Sequence, residues 1–392
     1  MSIDRETFHQ LLEAVSHFVE SRLRPLESRV ADEDRLPPEI VEAMRSLGLF
    51  GLSIPEDYGG LGLNMAEEVQ VAFRLGGTSP AFRSFIGTNN GIGSQAIVID
   101  GSEAQKKAYL PRLASGEIIG SFCLTEPDAG SDAGSLRTSA RRDDGDYLIS
   151  GTKRYITNAP EAGLFTVFAR TDPNSAGAHG VSAFLVEAGS PGLSLGRIDK
   201  KMGQRGAHTC DVLFDDVRVS AHSIIGGPDQ LGRGFKTAMK VLDRGRLTIG
   251  AFCVGIAERL IADSLRYAMQ RQQFGKPIAE FQLIQAMLAD MYTESYAARC
   301  MVEETARRRD AGMNVSTQVA SCKMYASEMV GRVADKAVQI HGGAGYIADY
   351  GIERFYRDVR LFRIYEGTTQ IQQLVIARNM VKGAADLNGA HS

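Results

Sequence analysis

One glutamate, Glu366, closes the apolar run Leu361-Phe362-Arg363-Ile364-Tyr365, with Gly367 behind it and Thr368-Thr369 opening a helix. Apolar surroundings desolvate a carboxylate and raise its pKa, and a carboxylate with a raised pKa is a stronger base. Those residue types in that order fit a general base held in a dry pocket. Glycine at 367 lets a substrate approach the backbone, and the N–H groups from Gly367 to Gln370 would face an anion at the helix start. An acid at a helix start also complements the macrodipole with no function at all. The reading of Glu366 therefore depends on the rest of the chain.

Several other segments carry usable groups. Phe122-Cys123-Leu124-Thr125-Glu126-Pro127-Asp128-Ala129-Gly130-Ser131-Asp132 runs from apolar residues into hydroxyls and glycine. Such a loop can present N–H and O–H groups to a polar ring or a phosphate, or it can simply join two domains. In Tyr155-Ile156-Thr157-Asn158, strand alternation puts Tyr155 and Thr157 on one face. An aromatic and a hydroxyl there suit a flat cofactor, and they equally suit a packed core beside a turn. Asp243 and Arg246 are three apart on a helix and can pair. Arg246 falls on the apolar stripe and wants an anion, from ligand or protein. Gly245 costs that helix about 1 kcal/mol relative to alanine, a hint that something approaches closely there. Arg271-Gln272-Gln273-Phe274-Gly275-Lys276-Pro277 reads as an interhelical turn. Gln339-Ile340-His341-Gly342-Gly343 either closes backbone around a phosphate or ends a helix. Gly91-x-Gly93-x-x-Ala96 has the outline of a dinucleotide fingerprint, but no strand precedes it, which rules out a Rossmann reading.

The elements that must position these groups are legible from periodicity. Residues 1 to about 120 read as helical, with a short helix over Glu39–Leu47 and a glycine-rich turn at Ile54–Gly62. From about 121 to 230, β-like runs at Tyr147–Ser150, Phe165–Ala169, Val181–Glu187 and Asp211–Val219 alternate with turn clusters. From about 231 to 392 the helical period returns. One stripe passes through Met239, Leu242, Arg246, Ile249, Cys253, Ile256 and Leu260, and a second runs from Phe281 to Arg309. A third spans Ser316 to His341, and a fourth begins near Thr368. The expected fold is mainly α with a β insert: an N-terminal helical domain, a middle β domain and a C-terminal bundle.

Composition narrows the function. The 392 residues carry a formal net charge of -3 with no basic stripe, which argues against nucleic acid as a partner. No apolar run approaches the roughly 20 residues of a membrane span. The charged start, Met1 to Glu6, has no apolar signal core. Five scattered cysteines and seven histidines show no ligand spacing, so no metal site is expected, and the thiols fit a reducing, cytoplasmic compartment.

Taken together, in this order and spacing, the segments resemble the acyl-CoA dehydrogenase family over nearly the whole chain. The pieces that carry the resemblance are Thr125-Glu126-Pro127-x-Ala129-Gly130-Ser131-Asp132, Ile156-Thr157-Asn158, Arg271-x-x-Phe274-Gly275, Gln339-x-His341-Gly342-Gly343 and Tyr365-Glu366-Gly367-Thr368. The resemblance implies a β-barrel-like middle domain, a C-terminal four-helix bundle, a homotetramer, and FAD between the middle and C-terminal domains. By motif, Phe122, Leu124, Thr125, Gly130 and Ser131 would line the flavin, and Ser131 also the thioester. Tyr155 would stack on the flavin, beside Ile156 and Thr157. Arg271, Phe274, Gln282, Gln339, His341, Gly342 and Gly343 would reach FAD from the neighbouring subunit, with Thr368 and Gln370 completing the site. Asp243, Arg246 and Gly367 would meet the acyl-CoA.

The chemistry this implies is α,β-dehydrogenation of an acyl-CoA to a trans-2-enoyl-CoA. Glu366 is the base, its N–H helps bind the thioester oxygen, and electrons pass to an electron-transfer flavoprotein. Isovaleryl- and long-chain-type members place their base immediately before the arginine equivalent to Arg246. Gly245 stands there, so Glu366 is left alone, as in short- and medium-chain types. Tyr155 replaces the tryptophan of many relatives. The expected substrates are short- to medium-chain or branched, as in fatty acid β-oxidation or branched-chain amino acid catabolism. Thr88, Asn89 and Asn90 are expected to give the acyl pocket a partly polar floor. An oxidase or flavin monooxygenase of the same fold is the alternative, and a catalytically idle acyl-CoA-binding protein is a third.

Overall fold

The computed structural model describes residues 3–175 and 177–389. Met1 and Ser2, on which the reading of the chain start partly rests, lie outside them, as do the last residues of the C-terminal segment.

The first helices are α1 (Arg5–Phe18), α2 (Glu27–Glu33) and α3 (Pro38–Ser46), followed by α4 (Met65–Leu75), α5 (Pro80–Gly87), α6 (Gln95–Asp100) and α7 (Glu103–Ala114). Their starts follow from side-chain capping. Asp4 accepts the backbone N–H groups of Glu6 and Thr7, and Asn64/Glu67 and Ser102/Gln105 form capping boxes. Ser79 caps α5, with Pro80 in its first turn. At its end α5 opens into a wider turn with π-helical hydrogen bonding over Thr88–Gly93, facing the main cavity.

The expected strand runs all fall within strands: β1 (Ile119–Cys123), β2 (Ser139–Asp143), β3 (Asp146–Thr157), β4 (Ala162–Arg170), β5 (Val181–Glu187), β6 (Leu193–Leu195) and β7 (Thr209–Val219). They form a seven-stranded sheet in the order β1-β4-β2-β3-β7-β6, with β5 pairing β4. Its inner face packs Ile149, Phe165, Val167, Phe184, Val212 and Val217 into a core of its own.

The chain then returns to long helices: α8 (Gly234–Gln270), α9 (Gln282–Asp310) and α10 (Ser316–His341), followed by the short α11 (Gly343–Tyr346) and α12 (Ile352–Val359), and finally α13 (Thr369–Gly389). Helices α8, α9 and α10 pack on one another, and α13 lies against α10. The segment expected as a plain turn after α8 is a small hairpin, β8 (Gln272–Gln273) against β9 (Lys276–Pro277). Its two central residues, Phe274 (φ 50°) and Gly275 (φ 79°), have the left-handed backbone that a tight hairpin requires.

One crossing decides how the N-terminal helices sit on the bundle. A Cβ at Gly255 of α8 would lie 2.2 Å from the Phe73 carbonyl oxygen of α4, and one at Gly76 would lie 2.7 Å from Gly255 Cα. Only two glycines allow this approach. A continuous hydrophobic core joins α1, α4, α8, α9 and α10 across the contact. The crossing carries α5, which follows α4 after a four-residue link, to the edge of the main cavity.

Candidate active site

A cavity of about 700 Å³ opens between the sheet, α5, α8 and the segment before α13. Phe122, Leu124, Thr125, Gly130, Ser131, Tyr155, Ile156, Thr157, Asp243, Arg246, Glu366 and Gly367 all line it. Sequence positions more than two hundred residues apart thus converge on one compartment.

The loop after β1 is pinned from behind. Lys153, fully buried on β3, donates to Glu126 Oε1 at 2.7 Å and to the Leu124 carbonyl at 3.2 Å. Glu126 in turn accepts the backbone N–H groups of Arg137 (2.6 Å) and Thr138 (2.9 Å). These contacts hold Thr125, Gly130 and Ser131 at the cavity wall. The hydroxyls of Thr125, Ser131 and Thr157 make no hydrogen bond among the described residues, so they are available to a ligand. Tyr155 also faces the cavity, but simple alternation is not the reason. Its φ is 58°, and the β3–β7 register slips between Lys153 and Ile156, so a bulge turns the ring outward, 60% exposed.

Glu366 sits in strained backbone, with φ 52° where a side chain is disfavoured, followed by Gly367 at φ 91°. Three buried groups hold this turn. Arg246 Nε donates to the Glu366 carbonyl at 3.1 Å, while its Nη1 pairs with Asp243 at 2.7 Å. Gln372 Nε2 donates to the carbonyls of Glu366 (3.2 Å) and Gly367 (3.1 Å), and Lys323 Nζ to that of Gly367 (2.6 Å). A Cβ at 367 would come within 2.4 Å of Gln372 Nε2, so glycine is required there by the protein's own packing. Arg246 finds its anion inside the protein, in Asp243, and a neutral acceptor in the carbonyl it clamps.

With both carbonyls tied back, the Glu366 N–H has no backbone acceptor among the described residues. The residue is partly exposed as a whole, yet its Oε2 is shielded from solvent and has no hydrogen-bond partner. Burial raises the carboxyl's pKa, opposed by the positive charges of Arg83, Arg246 and Lys323. Burial also pushes the Lys323 ammonium down to about 8. The close approach foreseen at Gly245 is Glu366 itself: a Cβ at 245 would lie 2.6 Å from its Oε2. Glycine on α8 makes the room the acid occupies.

The other expected site residues lie elsewhere. Arg271, Phe274, Gln282, Gln339, His341, Gly342 and Gly343 do not line this cavity. They gather where α8 and α10 end side by side, joined by a stack of Tyr267 on His341 with centroids 4.3 Å apart. His341 is buried and its Nδ1 meets the Ala337 carbonyl at 2.8 Å, whereas Phe274 is 93% exposed. Thr368 and Gln370 also lie off the cavity wall, and the Thr368 hydroxyl accepts the Ile371 N–H.

The polar floor is present in part: Thr88 lines the main cavity and Asn90 the small compartment beside it, Asn89 lines neither, and their polar groups are spent within the fold. Asn89 donates to the carbonyls of Leu113 and Ile118 and accepts the Gly120 N–H, while Asn90 bonds the backbone of Leu49, Ile86 and Ser53. Both amides are fastened to main chain, and the Thr88 hydroxyl accepts from Asn158. Among the described residues, the floor's polar side chain without a hydrogen bond is Arg83, which the sequence reading overlooked together with Lys323 and Gln372. The signal for Arg83 was present: an arginine inside the apolar run Pro80–Ile86, the same oddity that singled out Arg246.

This architecture and site can be set beside known proteins. The family description "Acyl-CoA dehydrogenase, N-terminal domain" matches residues 5–117, the middle domain 121–217 and the C-terminal domain 232–381. The chain belongs to the acyl-CoA dehydrogenase family. It is 42% identical over 383 residues to an acryloyl-CoA reductase (NADH) of Anaerotignum propionicum, covering 97% of this chain and 96% of that protein. It is 40% identical over 354 residues to a subunit of a caffeyl-CoA reductase–Etf complex of Acetobacterium woodii, covering 90% and 92%. The butyryl-CoA dehydrogenase of Megasphaera elsdenii superposes with a TM-score of 0.92 at 35% identity, covering 97% and 99%.

An acyl-CoA dehydrogenase is an oxidoreductase that uses FAD, and FAD is this chain's cofactor. The cavity fits that group: free hydroxyls, an exposed tyrosine ring, and a Gly130 with nothing within 4 Å of where a Cβ would stand. Among the described residues no cluster of three metal-ligating side chains occurs, and no helix is long and apolar enough to cross a membrane.

Proposed function

We propose that this enzyme interconverts a short acyl-CoA and its trans-2-enoyl-CoA, with Glu366 as the group that takes the α-proton. The observation that carries this reading is the buried Glu366 Oε2, left without a partner beside a free N–H in a turn whose carbonyls are all tied back. The α-proton of a thioester is weakly acidic, so its removal needs a desolvated base and a stabilised enolate oxygen. Glu366 supplies the first through its carboxylate. Its backbone N–H supplies a donor to the thioester oxygen, fixed before reaction begins. Arg246, Gln372 and Lys323 keep that N–H aimed inward by holding the two carbonyls away from it. Thr125, Ser131, Tyr155 and Thr157 would hold the flavin end of FAD, which when bound accepts the hydride from the β-carbon.

We further infer that Arg271, Phe274, Gln282 and the Gln339–Gly343 turn contact FAD of a neighbouring copy in a homotetramer. Their distance from the cavity within one chain and the exposure of Phe274 support this. An electron-transfer flavoprotein as redox partner is supported by the Etf-complex relative. Two of the relatives named above are reductases, which favours a second reading in which the same site works chiefly toward the saturated thioester.

An anaerobic titration of the purified flavoprotein with saturated acyl-CoAs tests the first reading. Bleaching of the oxidised flavin bands supports it. Bleaching by a reduced electron donor, followed by return of the oxidised bands on adding an enoyl-CoA and with no bleaching by saturated acyl-CoAs, would favour the reductase direction. Rapid oxygen consumption with acyl-CoA would move the protein to the oxidases.

A further inference from the structure

His208 immediately precedes β7 and stands where three segments meet. Its Nε2 lies 2.6 Å from the carbonyl oxygen of Asp34, the left-handed residue that ends α2. Its Nδ1 meets Oε1 of Glu161, in the short turn that follows β3. Both partners accept, one as a carbonyl and the other as a carboxylate. A neutral imidazole carries a single N–H and satisfies only one of them. The contact is complete when the ring is an imidazolium, with a proton on each nitrogen. The hydrogen bond to Glu161 raises the His208 pKa, partial burial opposes it, and the carboxylates of Glu161 and Asp34 add to the rise. The other charges close by in the chain are engaged elsewhere or unbonded: Asp199 takes the Thr209 hydroxyl, Arg205 holds the Asp32 carbonyl, and Lys201 Nζ has no hydrogen bond.

This fastener lies directly behind the wall of the main cavity. The His208 carbonyl accepts the Asn158 N–H at 2.9 Å, and Thr209 pairs with Thr157 across the β3–β7 ladder. Both threonines line the cavity. Asn158 also donates to the Ser84 carbonyl at 3.0 Å, so the same turn braces α5. Asp34 adds a second tie through its Oδ1, which accepts the Gly206 N–H at 2.6 Å.

Resting on the reading in which Thr157 holds the flavin end of FAD, we propose that His208 is a positioning residue: its imidazolium clasps the end of α2 to the Asn158–Glu161 turn, keeps Thr157 against the flavin, and slackens that wall when its proton leaves. The folded protein holds this proton to higher pH than the unfolded chain does. The contribution of the clasp is therefore fully present below the ordinary histidine value of 6.5 and is lost as pH rises through the raised one.

The test follows FAD release from the diluted holoenzyme by flavin fluorescence between pH 6 and 9, beside melting by far-ultraviolet circular dichroism. In the parent, release should quicken as pH rises. In Glu161→Gln the amide donates to a neutral Nδ1 while Nε2–H keeps Asp34, so the clasp survives without the extra proton. That variant should match the parent at pH 6 and release FAD about tenfold more slowly than the parent at pH 9, the worth of one hydrogen bond to a charged group. His208→Gln should release FAD about tenfold faster than the parent at pH 6 and approach it at pH 9. Parallel pH profiles in the parent and Glu161→Gln would overturn the proposal. So would a pH effect confined to melting, because His208 would then hold the fold and not the flavin wall. A Thr157→Val protein that releases FAD at the parent's rate would overturn the placing of Thr157 at the flavin, and this proposal with it. None of these measurements needs a substrate, so failure of every acyl-CoA to bleach the flavin would strike the dehydrogenase chemistry alone.

Discussion

The compartment around Glu366 and the surface where α8 and α10 end differ in how much of their work one chain finishes. Around Glu366 the backbone carbonyls are clamped, the glycine at 245 clears the space, and three cations surround the acid. At the other end, a phenylalanine stands exposed on a hairpin tip beside an uncovered turn at Gly342-Gly343. The first region is organised in advance by its own side chains. The second has its backbone shape set and its surface open, as the proposed contact with a neighbouring copy requires.

The sharpest way to break this contrast is to remove the carboxylate proposed as the base. Glu366→Gln should retain FAD and the fold while flavin reduction by acyl-CoA falls by about four orders of magnitude, measured by anaerobic stopped flow. A smaller effect is expected from crowding it. Gly245→Ala puts a methyl 2.6 Å from the present position of Oε2. The displaced carboxylate should lose about a hundredfold in kcat with little change in FAD content. The other region should answer to a different readout. Phe274→Ala should weaken FAD retention by about tenfold and lower the sedimenting mass, while the far-ultraviolet circular dichroism stays as in the parent. Unaltered assembly and FAD retention would mean that the α8–α10 end is complete without a second copy.

The smallest effect concerns stability. Burial raises the folded-state pKa of Glu366 above its unfolded value. Keeping it ionised therefore costs stability above the folded pKa, and that cost disappears as pH falls toward the unfolded value. Glu366→Gln should melt about a degree or two higher than the parent at pH 8, with the gap closing by pH 5. The same titration predicts that kcat/KM falls as pH drops through the raised pKa. A stability difference independent of pH would place the strain in the φ 52° backbone and not in the charge.

Much of this was readable in the chain. The ends of α10 at Ser316 and His341, strand β5 at Val181–Glu187, and Glu366 as a desolvated acid all follow from local pattern. What stayed hidden depends on contacts across long separations. The Asn89 and Asn90 amides look like a polar pocket floor until Leu113, Ile118 and Leu49 are seen to bind them. Lys323 reads as an ordinary helical lysine, because nothing within α10 reveals the Gly367 carbonyl above it. Arg83 was legible in principle, since an arginine in an apolar run needs a reason, but the reason lies in a cavity assembled from four other segments.

The space that Gly245 yields to Glu366 has a further consequence. Two separate stretches of chain, mid-helix on α8 and the turn before α13, address one point in space, and that point admits only one carboxylate. The work of the acid is thus tied to the location as much as to the turn that carries it. A second acid placed at 245 would meet the first at that spot, and one of the two side chains would have to turn away or bind a proton. Two carboxylates so placed would share one proton, so an acid added at 245 would raise the pKa of the one at 366 and couple the two titrations.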